Sequence, residues 1–226
     1  MTLILPMIGS GYISGGGGLL PNGTILSSFA SPSTAPTGLT LAGANLISCD
    51  FGSDTIYIHS GVSSTISSSF ASPGSTPRDL AYDGANLISS DSGTNLIYIH
   101  SGVSSTISSS FASPSVGQAG LTYDGTNLIS SDTFTDLIYV HDGVSSTILF
   151  SFPTPAGSSN GLAYDGTNLI SSDLGTDRIY VHDGISPTIL VSFPTQGPLP
   201  SGLAYDGSNL LSTDFNTDRI YVHDNS

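Results

Sequence analysis

The chain has 226 residues and a formal net charge of −14, from 17 Asp against three Arg, with no Glu, Lys or Trp. Glu and Lys normally carry exposed helix faces, so their absence excludes a helical protein and favours strands and tight turns. The charge excludes nucleic acid and anionic membrane as partners, since both need Lys/Arg clusters, and the single Cys excludes an internal disulfide.

The first element in chain order is a tail, residues 1–22. Met1 to Ile8 is apolar and four glycines follow at Gly15 to Gly18. No basic residue precedes the apolar run, which makes it a poor secretory signal. It also falls far short of the roughly 20 residues that span a bilayer, so no membrane span is expected. Leu3, Ile4, Leu5 and Ile8 are instead expected to dock on other protein subunits of a larger assembly.

From residue 23 the chain repeats every 41 positions. His59, His100, His141, His182 and His223 keep that step, as do Phe29, Phe70, Phe111, Phe152 and Phe193. The first predicted strand, Thr24 to Phe29, matches the last strand of each later repeat. In the fourth copy the spacing predicts strands at Gly161–Tyr164, Leu169–Asp173, Arg178–His182 and Thr188–Phe193. Asp165-Gly166 and Asp183-Gly184 supply turns between them, because Gly accepts positive φ where other residues strain. Four antiparallel strands in about 40 residues specify a propeller blade. The last repeat stops at its third strand, Arg219–His223, so the N-terminal strand is expected to complete that blade and close the ring. The expected architecture is all-β: a five-bladed β-propeller over residues 23–226 behind the tail of residues 1–22.

The pattern Gly161-Leu-Ala-Tyr-Asp-Gly, followed by Asn168-Leu-Ile-Ser-Ser-Asp and Asp177-Arg-Ile-Tyr-Val-His-Asp, resembles the NHL-type propeller repeat. It is also similar to blades of the broader lactonase-like group, and in architecture alone to five-bladed lectins of the tachylectin type. The resemblance implies a blade rather than an activity. The acidic and Asn residues that bind metal near the channel of lactonase-like enzymes have no residue-by-residue match here.

Candidate chemistry falls into three sets. The five His sit on third strands, too far from the axis to share one metal ion, and are expected to make structural hydrogen bonds between blades. All 17 Asp are expected at turns or strand ends, where their side chains bond nearby backbone. Among them Asp50, Asp91, Asp132, Asp173 and Asp214 form a ring that is a candidate for Ca²⁺. Gly157-x-Ser159-x-Gly161 matches a nucleophile pattern, but that chemistry needs a strand-to-helix turn. The third set is the loop face on which the copies differ. Phe51, Arg78, Phe134, Leu174, Arg178, Phe215 and Arg219 map to it and are expected to contact a cell-surface receptor or glycan.

No cofactor and no metal are expected. Catalysis is not expected either, because acid–base work needs groups in unlike environments and near-identical blades repeat one environment. The expectation is a non-catalytic surface module of a virion or extracellular appendage, held by its tail. A soluble multivalent lectin is the first rival and a lactonase-like hydrolase the last.

Overall fold

Each repeat folds into four short strands because its apolar residues alternate and Asx-Gly turns separate the runs. The structure is a computed structural model that describes residues 20–225. Its first complete blade is β2 (Pro36–Ala42), β3 (Asn45–Asp50), β4 (Thr55–His59) and β5 (Ile66–Ala71). The second is β6 (Pro77–Tyr82), β7 (Leu87–Asp91), β8 (Leu96–His100) and β9 (Ile107–Ala112). The third runs from β10 (Gln118–Tyr123) through β11 (Leu128–Asp132) and β12 (Leu137–His141) to β13 (Ile148–Pro153). The fourth holds β14 (Ser159–Tyr164), β15 (Leu169–Asp173), β16 (Arg178–His182) and β17 (Ile189–Pro194). The fifth combines β18 (Pro200–Tyr205), β19 (Leu210–Asp214) and β20 (Arg219–His223) with β1 (Ile25–Ala30) from the other end of the chain. All five sheets are antiparallel meanders, and each first strand packs on the first strands of both neighbours around the axis. This is the expected five-bladed propeller, with the expected closure of β1 on β20.

Two devices repeat in the blades. In the first hairpin Asp83 Oδ1 accepts the N–H groups of Ala85 and Asn86 at 2.8 and 2.6 Å, while Gly84 takes φ +96. Asn86 Oδ1 then accepts the Gly102 N–H at 3.1 Å and ties the two hairpin turns of the blade together. In the loop from second to third strand, one residue per blade takes a left-handed φ between 49 and 56, and it is always Asp or Asn: Asp54, Asn95, Asp136, Asp177 and Asp218. These short polar side chains tolerate that region best among non-glycine residues.

The apolar core lies between blades. Ile129, Ile138, Val140 and Phe152 of the third blade pack on Leu162 and Leu169 of the fourth, and the other interfaces repeat the arrangement. Second strands β7, β11, β15 and β19 are buried along their whole length and β3 along all but Asn45, so their serines need partners inside.

Candidate functional site

Those partners absorb the histidines. Nε2 of His59, His100, His141, His182 and His223 bonds the hydroxyl of Ser48, Ser89, Ser130, Ser171 and Ser212 at 2.7–2.9 Å, always within one blade. Nδ1 of the first four bonds a turn carbonyl at 2.6–2.7 Å, that of Ser63, Ser104, Ser145 or Ser186. The hydrogen bonds thus stay inside the blade, contrary to expectation. What crosses between blades is a ring contact, Phe70 to His100 for example, with centroids 5.8 Å apart. Burial pushes the pKa of all five imidazoles down, and that of His223 to about 4.

The Asp ring is committed in the same way. Asp173 accepts N–H groups from Ser158, Gly175 and Thr176 at 2.9–3.0 Å and the Thr176 hydroxyl at 2.8 Å. Asp50, Asp91, Asp132 and Asp214 likewise clamp their own loop to the preceding inter-blade loop. Hydrogen-bond donors therefore occupy the carboxylate oxygens that a cation would need. Ser159, the centre of the Gly-x-Ser-x-Gly match, is buried in β14 with no helix after it.

The variable-loop face does contain a concave site. Two neighbouring cavities of ≈ 190 and ≈ 210 Å³ open there, and Arg78, Asn160 and Leu174 line both. Thr37, Leu199, Ser201 and Phe215 complete the first; Ser92, Val116, Gln118 and Thr133 are among those completing the second. Thr37, Arg78, Asn160 and Ser201 are the same position of four different first strands, next to the axis. A β-bulge there in every blade breaks the register, as between Pro77 and Leu80 of β6. Bulges re-aim side chains, here toward the mouth. The hydroxyls of Ser90, Ser131, Ser172 and Thr213 accept the bulge N–H at 2.8–3.1 Å, and buried Cys49 stands in their place in the first complete blade. Burial pushes the Cys49 thiol up to about 12, so it is a packing group rather than a nucleophile.

Arg78 donates from Nε to the Ser92 hydroxyl at 2.8 Å, and its guanidinium carbon lies 5.8 Å from the centroid of the Phe51 ring. Neither contact is anionic, and neither uses the Nη nitrogens. Thr37 and Ser201 donate to the carbonyls of Pro77 and Pro36 at 3.0 and 2.8 Å. Phe51, Arg78, Leu174 and Phe215 are thus brought to one mouth. Phe134, 76% exposed, lines neither cavity. Arg178 and Arg219 reach outward along their own blades instead, to Ser192 and to Ser28 of the closing strand. Leu3, Ile4, Leu5 and Ile8 lie outside the described residues.

One acid departs from the expectation that every Asp sits at a turn or strand end. Asp79 is inside β6, at the bulge, and 1% exposed. The equivalent residues are Gly38, Gly120, Gly161 and Gly202, so lining up the repeats would have singled it out. At the opposite mouth Tyr82, Tyr123, Tyr164 and Tyr205 surround a wide, shallow opening above an axial cavity of ≈ 130 Å³.

No protein-family model and no curated protein matches the chain. Its fold is similar to the crystal structure of Myxococcus xanthus glutaminyl cyclase, with a TM-score of 0.75 at 16% identity over 88% of this chain and 94% of that one. The likeness shows the propeller fold and gives no support to an NHL or lactonase-like family. That propeller is an enzyme, which contradicts the ground on which a non-catalytic virion module, a lectin in its stead and a chain that is no enzyme were expected: the fold itself can carry catalysis. The physical premise behind those expectations fails as well. Thr37, Arg78, Ala119, Asn160 and Ser201 give the axial mouth five different side chains, so the blades do not repeat one environment there.

Proposed function

We propose that the chain is an enzyme that takes a small substrate, an amide or carboxylate beside an apolar group, in the paired cavities of the variable-loop mouth. One observation carries this reading: Arg78, neither Nη of which has a hydrogen-bond partner among the described residues, stands with Asn160 over walls that include Leu174, Leu199 and Phe215. A guanidinium there can donate to a carbonyl oxygen as negative charge develops on it.

Among the described residues no Cys, His or Lys lines either cavity, and the Thr37 and Ser201 hydroxyls are already donating to carbonyls. Such a lining suits a reaction whose nucleophile comes with the substrate. Cyclisation of an N-terminal glutaminyl residue, the activity named for the similar enzyme, has that form. The substrate's amine nitrogen bonds to its own side-chain amide carbon, the old C–N bond breaks, and a proton from the attacking nitrogen leaves with the departing ammonia. Arg78 would hold the carbonyl oxygen, and Asn160 would orient the amide.

The test is ammonia release from a short peptide with N-terminal glutamine. The full chain is expected to release it, and Arg78→Met to lower kcat/KM by about 100-fold, the usual effect of deleting one such donor. Arg178→Met, altered inside the fourth blade, should behave as the parent. Absence of both turnover and peptide binding by the parent chain would overturn the reading.

A further inference from the structure

We propose that the propeller axis is an anion-binding site built from backbone N–H groups, in which the Asp79 side chain is the tethered anion, and that its free ligand would be a small monocarboxylate. Each first strand is the free inner edge of its sheet, so alternate N–H groups of β2, β6 and β10 point to the axis without a ladder partner. Three of them converge on one carboxylate. Leu39 and Leu80 donate to Asp79 Oδ1 at 3.2 and 2.9 Å, and Leu121 donates to Oδ2 at 2.8 Å; Leu162 of the fourth blade contributes a further backbone bond. The donors come from four blades and the acceptor from one of them. Among the described residues no side-chain cation takes part. Convergent main-chain N–H groups of this kind are an anion receptor.

The site has room for one occupant. A Cβ at Gly38 would lie 2.5 Å from the Asp79 Cα, and one at Gly202 would lie 2.7 Å from the Gly38 Cα. The other blades therefore keep glycine at this position, and a single side chain fills the centre. Burial works against it: desolvation raises the Asp79 pKa well above the usual carboxylate range, against the opposing pull of the N–H donors. The bound charge holds neighbouring blades at a common radius and leaves the backbone of β6 able to accept the residue its counterparts use.

Asp79→Gly tests this directly, because it restores the repeat's own glycine and empties a volume matched by acetate, the deleted side chain plus one hydrogen. The full-length variant is expected to melt below the parent in chloride. In acetate at equal ionic strength it should recover, by about 3–6 °C at ten times the acetate Kd. The parent should melt alike in both salts. Carbon-13 acetate should broaden on addition of the variant and not of the parent. If the variant does not survive purification, its refolding yield on dilution from urea reads the same quantity, higher in acetate than in chloride. A variant as stable as the parent, or one whose melting and refolding ignore acetate, would overturn the proposal.

Discussion

A chain shortened to begin at Ser31 is expected to lose its cooperative thermal transition or to melt more than about 15 °C below the parent. The truncation removes β1, whose pairs with β20 run from Ile25–His223 to Ala30–Arg219. It strips Phe29 from the cluster of Leu39, Leu211, Ile220 and Val222 and from its ring contact with His59, 6.3 Å between centroids. It also leaves the Arg219 guanidinium without Ser28. Half a dozen ladder bonds at roughly 1 kcal/mol each and about 2 kcal/mol for Phe29 sum to about 8 kcal/mol. That is comparable with the whole stability of a domain. A melt followed by circular dichroism measures the loss, and a peptide covering residues 20–31 should restore part of it by pairing with the exposed β20 edge. A melting temperature within about 2 °C of the parent would mean that closure contributes nothing.

The second large effect is loss of stability in mild acid. All five imidazoles are buried and neutral, with pKa values below the 6.5 of an unfolded chain. Between the folded and unfolded values the unfolded chain binds more protons, so stability is fully present above pH 6.5 and drains as pH falls through it. His223 alone, lowered to about 4, accounts for about 3 kcal/mol once pH has passed below that value. Among the described residues its Nδ1 has no hydrogen-bond partner, whereas its four counterparts each bond a turn carbonyl there. Asp79, raised in the fold, acts in the opposite sense and is one group against five. Asp91, lowered, adds to the loss only below the usual carboxylate range. The melting temperature should therefore be level above pH 7 and fall by more than about 10 °C by pH 4.5, with His223→Gln flattening part of the slope. A level profile across that window would contradict buried neutral histidines.

The blades were legible because the period of 41 residues places His, Phe and Asp in fixed columns, and the phase of the last repeat revealed the closure. Chemical partners were not. Ser130 bonds His141 from 11 residues away on the adjacent strand of the same blade, a pairing that depends on sheet register rather than on residue type. Arg78, Arg178 and Arg219 read alike as basic residues near variable loops, yet they occupy two columns. Arg178 and Arg219 open third strands and turn to the outer strand, whereas Arg78 is on a first strand beside the axis. Asp79 was hidden by its residue type, since Asp elsewhere in this chain makes turns. Its column, otherwise all glycine, held the signal.

The arginines also give the most direct test of where the chain works. There are three, and each Nε–H is engaged by a serine hydroxyl, Arg78 with Ser92, Arg178 with Ser192 and Arg219 with Ser28. A nitrogen-15 correlation spectrum should thus show three arginine side-chain signals, assignable by substituting each residue in turn. On titration with the N-terminal glutaminyl peptide, the Arg78 signal is expected to move while those of Arg178 and Arg219 stay in place. Movement of Arg178 or Arg219 with Arg78 unchanged, or no movement of any of the three at saturating peptide, would contradict a site at the variable-loop mouth.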